Sequence, residues 1–319
     1  MAGAARPDRP GAGRALPANR AAAEAELTRT VASELTQAVA STPSEISAGA
    51  ATVPERLGLF RARFDDTGAV AELVDDRGTA WFDSDHVAGR FVYLTYDATD
   101  YDTWVAEYCR DVDANAEWAL PDQTRLGLRE SSATARHTDF APRVSAREFS
   151  ATPDADVVTI HLTLPDEAIS PFGAPQRLTL VYRFSRSNRR VDLSLTTHGK
   201  RATRLPEASL LAIVPAIPGR WTLDKLGTEV DPQRVVRGGA RRVHAVDGLR
   251  FTGDAGALTV TSLDAPVVAL GKPELLRFDR ALPDPEAGAH VILHDNLWPT
   301  NFPQWFEDDL TYRFRFAIA

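Results

Sequence analysis

Between positions 298 and 306 the sequence sets Trp298, Phe302, Trp305 and Phe306 close together, with Pro299 and Pro303 among them. The prolines bar a helix and argue against a central strand, so this stretch is a loop. Loops normally carry polar side chains that satisfy their own backbone. A loop this aromatic either closes the mouth of a core or stacks on a ligand. Flat indoles suit the apolar C–H face of a sugar ring, so carbohydrate is the ligand class these residue types indicate. Trp298 and Trp305 are the stacking candidates, and Asn301 between them offers an amide to sugar hydroxyls.

Carboxylates near such a loop raise the question of glycoside hydrolysis, which needs an acid and a nucleophile or base flanking one bond. The run Glu307–Asp309 precedes a strand pattern and reads as a solvated turn, so no catalytic residue is assigned there. Glu207 follows a proline and opens an apolar strand, which makes it the better candidate for a buried or ligand-facing carboxylate. His290 and His294 lie four apart on a strand pattern, where they share a face about 13 Å apart. One metal ion binds its ligands at about 2 Å, so the pair is too far apart to hold one. His86, His137, His161, His198 and His244 show no ligand spacing, and neither H-E-x-x-H nor C-x-x-C occurs. No metal and no cofactor is expected. His244 is kept as a hydrogen-bonding candidate for a glycan.

The elements that must position these groups are strands. In Leu59–Phe64 the residues Phe60, Ala62 and Phe64 face one way and Arg61 and Arg63 the other. Asp65–Gly68 is a hairpin turn, followed by a return strand at 69–74 and by Trp81-Phe82. Further strands are expected at 91–96, 143–149, 157–164, 178–184, 190–196, 209–214, 257–262, 267–269, 290–293 and 311–318. A short helix is expected at 101–109, with Tyr101, Trp104, Val105 and Tyr108 on one face. Many strands, few helices and no β-α-β alternation predict an all-β fold, a large antiparallel β-sandwich over residues 50–319. Residues 1–20 are rich in Ala, Arg, Gly and Pro and read as a disordered tail. Residues 21–43 read as an N-terminal helix or helical linker, with Leu27, Val31, Leu35 and Val39 as a narrow apolar stripe.

A chain of 319 residues is long enough for one large domain. Its net charge of −8 argues against nucleic acid or an anionic membrane as partner. No apolar run reaches the length of a membrane span. The first twenty residues contain arginines but no apolar core, so no secretory signal is read and a cytoplasmic location is expected. The single cysteine, Cys109, excludes an internal disulfide and is expected to be a small core residue.

The pattern Asn296-Leu-Trp298, Thr300-Asn-Phe-Pro303, Trp305 and Arg313-Phe-Arg-Phe316 resembles the closing motif of a known sandwich. That sandwich, of the galactose mutarotase-like "supersandwich" type, is the C-terminal half of family 38 glycoside hydrolases (α-mannosidase-like proteins). The resemblance is nearest to bacterial and fungal members described only as a domain of unknown function. Leu205–Ala208, Trp221–Gly227, Val230–Pro232, His244–Val246 and Ser262–Pro266 agree with it in order. In such proteins the catalytic residues and metal site lie in an N-terminal α/β barrel, for which this chain has neither the length nor the residues. The resemblance therefore implies a carbohydrate-associated module that binds glycan or completes the site of a separate chain carrying the barrel. Glu207, His244, Trp298, Asn301 and Trp305 are its candidate ligand-binding residues. Two alternatives stay open: a stand-alone epimerase, mutarotase or lyase on the same fold, or a purely structural, oligomerising domain. Against mutarotase activity stands the absence of the Asn-His-x-Tyr-Phe motif of free-standing mutarotases.

Overall fold

A computed structural model describes residues 53–319, apart from 126, 132, 237–238, 279–280 and 299–304. The tail at 1–20, the helix at 21–43 and Asn301 lie outside the described residues.

The chain shuttles between two antiparallel sheets. The first receives β1 (Arg56–Leu57), β2 (Phe60–Phe64), β3 (Val70–Asp75), β4 (Ala80–Phe82), β5 (Ala88–Thr95) and β6 (Thr138–Phe140). The second begins with β7 (Arg143–Ala151), β8 (Ala155–Thr163), β9 (Arg177–Ser185) and β10 (Arg190–Lys200). The chain then returns to the first sheet with β11 (Glu207–Ile213) and to the second with β12 (Arg220–Lys225) and β13 (Thr228–Val230). β14 (Val243–Ala245), β17 (Val267–Leu270) and β18 (Ala289–Asp295) complete the first sheet. β15 (Gly248–Gly253), β16 (Gly256–Ser262) and β19 (Asp308–Ile318) complete the second.

Alternation sets which face each strand buries. On β19 the residues Tyr312, Phe314, Phe316 and Ile318 enter the core between the sheets. They meet Leu193 and Leu195 of the paired strand β10 and Leu258 and Val260 of β16. The first sheet contributes Phe91 and Tyr93 from β5, Leu211 and Ile213 from β11, and Val291 and Leu293 from β18. The expected all-β sandwich is therefore the observed architecture, and most expected strands appear within a few residues of their predicted bounds. Short strands β12 and β15 were not anticipated as strands. Their inward residues Trp221, Leu223, Leu249 and Phe251 are interleaved with Arg220, Asp224 and Arg250, and the surrounding turn residues dominate the local pattern.

The first sheet is buried on its outer side as well. Helix α1 (Ala98–Tyr108) opens with a capping box, in which Asp97 accepts from Thr99 and Asp100 amides and Asp100 accepts from the Asp97 amide. It lays Tyr101 and Trp104 on a second apolar cluster with Ala208, Leu210, Ala269 and Ile292. Helices α2 (Val112–Gln123) and α3 (Leu128–Ser131) follow it, and α4 (Asp166–Phe172) joins β8 to β9. Burial of β11 on both faces follows from this double layer, and every one of its residues is buried. Cys109 is the C-cap of α1 and half-buried, not the core residue expected. Among the described residues no helix is long and apolar enough to cross a membrane.

Candidate functional site

One irregularity decides which side chains of β18 reach which layer. Ala208 pairs with Asp295 and Ser209 with His294, but Leu210 pairs with Ile292, so Leu293 is an extra residue in the ladder. Such a bulge re-aims side chains. His294 therefore shares the inward face of Glu207 and Ser209, while Asp295 shares the outward face of Ala208 and Leu210. His290, opposite Ala212, also faces outward. The two histidines stand on opposite faces of the strand, not on one face as the regular period predicts. Among the described residues no group of His, Cys, Asp or Glu is placed to hold a metal ion.

On the inward side lies a closed ionic cluster. Glu207 is fully buried and accepts from Lys200 Nζ at 2.7 Å and from the Tyr93 hydroxyl. Tyr93 also reaches the Phe172 carbonyl at 2.9 Å, and burial beside the Glu207 charge pushes its phenol far above the ordinary value. Lys200 donates to the Arg201 carbonyl at 2.7 Å. His294 Nε2 stands 3.6 Å from Glu207 Oε1, with Phe306 tilted against its ring. Buried charges persist only when paired and hydrogen-bonded; Glu207, Lys200 and Tyr93 meet that condition, while His294 Nε2 has no hydrogen-bond partner among the described residues. Glu207 is thus walled in rather than presented to a ligand.

Asn296 ties this cluster to the outer face. Its amide oxygen accepts from the Glu207 backbone at 2.8 Å, and its own backbone N–H donates to the Glu207 carbonyl at 3.1 Å. Its Nδ2 donates to the Thr203 and Leu205 carbonyls at 3.2 and 3.1 Å. The next residue is held too, because Tyr101 Oη donates to the Leu297 carbonyl at 2.5 Å.

On the outward side these anchored residues wall a cleft of about 350 Å³ between the sheet and α1. Trp104, Phe278 and Trp298 supply its aromatic surface over Ile292, Leu275 and Val243. Trp298 meets Trp104 edge-on at 4.9 Å and keeps 37% of its surface exposed. Trp104 also stacks on Tyr108 at 4.7 Å and meets Phe278 edge-on at 5.9 Å. Arg241, Arg242, Arg277 and Asp295 are the charged residues of the lining. Burial raises the Asp295 carboxyl above its ordinary value, opposed by the Leu297 amide, His294 and Arg125. Two buried polar atoms beside α1, Trp104 Nε1 and Tyr96 Oη, have no hydrogen-bond partner among the described residues.

The five candidates do not gather in one place. Trp298 lines the cleft, whereas Glu207 lies behind it on the inward face. His244 is buried on the inward face of β14, with Nε2 3.1 Å from the Arg241 carbonyl and Nδ1 3.5 Å from Lys225 Nζ. Burial and the Lys225 charge depress its pKa, opposed by its Arg241 contact. It therefore supports the backbone of an arginine in the cleft lining. Trp305 is 39% exposed, with the Arg204 guanidinium 4.6 Å over its ring, and is not in the cleft lining. Asn301 lies outside the described residues. The run Glu307–Asp309 is solvent-exposed as expected, but its Asp308 and Asp309 open strand β19 rather than forming a turn. Exposed Asp309 accepts from Gly199 N–H at 2.8 Å and lies 3.0 Å from His198 Nδ1, and both contacts lower its carboxyl pKa.

Sequence reasoning missed Asp295, Phe278 and the three arginines. Asp295 ends β18, a strand whose period, taken without the bulge, gives no hint of a cleft-facing carboxyl. Trp104 could be found: its helix face is correct, and only its neighbours across the chain were hidden.

Fold and site together define a β-sandwich with an aromatic, partly charged cleft on the outside of one sheet. By sequence, the chain belongs to the family described as "Domain of unknown function (DUF5054)", whose model matches residues 13–192, more than half its length. No curated protein matches it. In structure it is similar to an α-mannosidase from Enterococcus faecalis V583, at 7% identity and a TM-score of 0.45. That match covers 82% of this chain and 28% of the other. A glycosyl hydrolase family 38 protein from Enterococcus faecalis matches at 7% identity and a TM-score of 0.47, over 87% of this chain and 32% of that one. A galactose mutarotase-like protein from Lactobacillus casei ATCC 334 matches at 10% identity and a TM-score of 0.38, over 83% and 99%. The chain thus spans less than a third of the length of the two Enterococcus faecalis chains.

Proposed function

We propose that this chain is a carbohydrate-binding β-sandwich module, and that the cleft walled by Trp104, Phe278 and Trp298 is where a sugar ring sits. The supporting observation is the cleft itself. At about 350 Å³ it falls at the lower end of the roughly 300–1,000 Å³ typical of small-ligand sites. It pairs an indole with one open face with a carboxylate and guanidiniums that can bond hydroxyls. Asp295 serves as the hydroxyl acceptor and the arginines as donors. The Asn296 clasp and the Tyr101–Leu297 bond hold the Trp298 edge in place before ligand arrives, which lowers the entropy lost on binding. The same module can act alone or beside a separate chain that carries a catalytic barrel.

The test is a glycan array followed by calorimetric titration, with wild type and Trp298→Ala compared. Binding by wild type that the variant loses at unchanged melting temperature supports the proposal. An array on which no glycan binds above background, or binding unaffected by both Trp298→Ala and Asp295→Asn, overturns it.

A further inference from the structure

Three guanidiniums, Arg241, Arg242 and Arg277, come to one cleft from two separate loops. Among the described residues of the lining they face a single carboxylate, Asp295. The chain as a whole is acidic, at −8, so three guanidiniums gathered at one cleft run against its general composition, even with Glu274 and Glu107 paired to two of them. Two of the forks are pinned by carboxylates that are not part of the lining. Arg242 Nη1 lies 2.6 Å from Glu274, and Arg277 meets Glu107 through Nε at 2.9 and 3.1 Å and through Nη2 at 2.6 Å. Glu107 also accepts from the Phe278 amide at 2.7 Å, so one α1 side chain fixes both the guanidinium and the ring beside it. Arg241 is steadied through its carbonyl by His244 and by its contact with the Val235 carbonyl.

Granted the sugar-site reading on which it rests, we infer that the glycan this cleft takes is anionic, presenting a carboxylate or sulfate to Arg241, Arg242 and Arg277. A neutral ring brought against this rim desolvates positive charge and returns only neutral hydrogen bonds. An anionic substituent returns charge-assisted ones, which are stronger than neutral hydrogen bonds. Forks already oriented by Glu107 and Glu274 lose little further side-chain freedom on meeting it. Burial of Asp295 raises its pKa, so its repulsion of an incoming anion weakens earlier as the pH falls.

The experiment uses the full chain on an array of uronate and sulfated oligosaccharides, each printed beside its carboxyl-reduced or desulfated counterpart. The tightest pair is then titrated at low and physiological salt. The acidic member should bind about ten- to a hundredfold more tightly, as one or two charge-assisted hydrogen bonds imply. That margin should shrink with added salt. The carboxyl-reduced and desulfated arms tell which anion is read. Arg277→Gln should erase the margin between the two members, whatever its effect on the affinity they share. Arg241→Gln, which breaks no ion pair to Glu107, repeats the measurement should the first variant fold poorly. Equal or tighter binding of neutral members, lost in Trp298→Ala, overturns this inference and leaves the sugar-site proposal standing. A preference that survives both arginine changes also overturns it. An array on which nothing binds removes both.

Discussion

Strands β11 and β18 carry two polar groups of residues back to back, and the two differ in how they are closed. Inward, Glu207 has zero exposure and its charge is met by Lys200 and Tyr93, themselves buried. Outward, Asp295 and Trp298 are partly exposed, and Trp104 Nε1 and Tyr96 Oη lack partners among the described residues. The lesson is that the more buried carboxylate is the structural one. A carboxylate paired in a dry interior ties strands together, even with the neighbouring His294 Nε2 unbonded, whereas a carboxylate beside open volume is where a ligand can replace water.

The largest test of this contrast is Glu207→Ala. It strands the Lys200 ammonium in the interior and should cost about 3–5 kcal/mol in denaturant unfolding. The double change Lys200→Met with Glu207→Leu should recover most of that loss. A single variant as stable as wild type would mean the cluster is wetter than its geometry implies. Next comes His290, buried on the outward face with its pKa pulled down to about 4 by burial. The unfolded chain binds a proton near pH 6.5 that the folded one refuses. Stability from this group is therefore full above pH 6.5 and is lost as pH falls toward 4, by about 3 kcal/mol in all. His290→Leu should flatten that part of the stability-versus-pH curve, and an unchanged slope would remove the group from the account.

Smaller effects separate the aromatic residues. Trp104 is only 8% exposed, and Trp104→Ala should cost about 3 kcal/mol as a large-to-small core change. Trp298→Ala should cost about 1 kcal/mol or less in melting yet about 2 kcal/mol in glycan affinity, because its energy is spent on ligand rather than fold. The smallest shift is expected for Asp295→Asn. Since burial raises this pKa, the folded state holds its proton more firmly than the unfolded one, and stability declines as pH rises through that interval. The variant should be slightly more stable than wild type at pH 7, within about 1 kcal/mol, and the gain should vanish in acid. A large loss at pH 7 would show that ionised Asp295 serves the fold.

The sandwich was legible because alternation is a local signal: Phe60, Ala62 and Phe64 on β2 and Tyr312, Phe314 and Phe316 on β19 announce their faces in sequence. The site was legible only in part. Trp298 was found by residue type and Glu207 by its position ahead of an apolar strand, yet nothing local says that the second points inward. Asp295 depends on the extra residue at Leu293, which exists only as a mismatch against β11. The arginines reach the cleft through contacts such as Arg277 to Glu107, 170 positions apart, which no spacing rule encodes.

The Asn296 clasp has a consequence in time. Five hydrogen bonds join it to the segment 203–207, two of them with the Glu207 backbone and one with its carboxylate. Neither segment can lift from the ends of β11 and β18 without the other, so their amides should exchange with solvent in one shared opening event. Leu297 and Trp298 follow directly on that clasp, so large excursions of this wall should be slow beside side-chain motion. A sugar diffusing in would then meet a surface already in its binding shape. Association would be governed by encounter, and residence time by how rarely the clasp lets go.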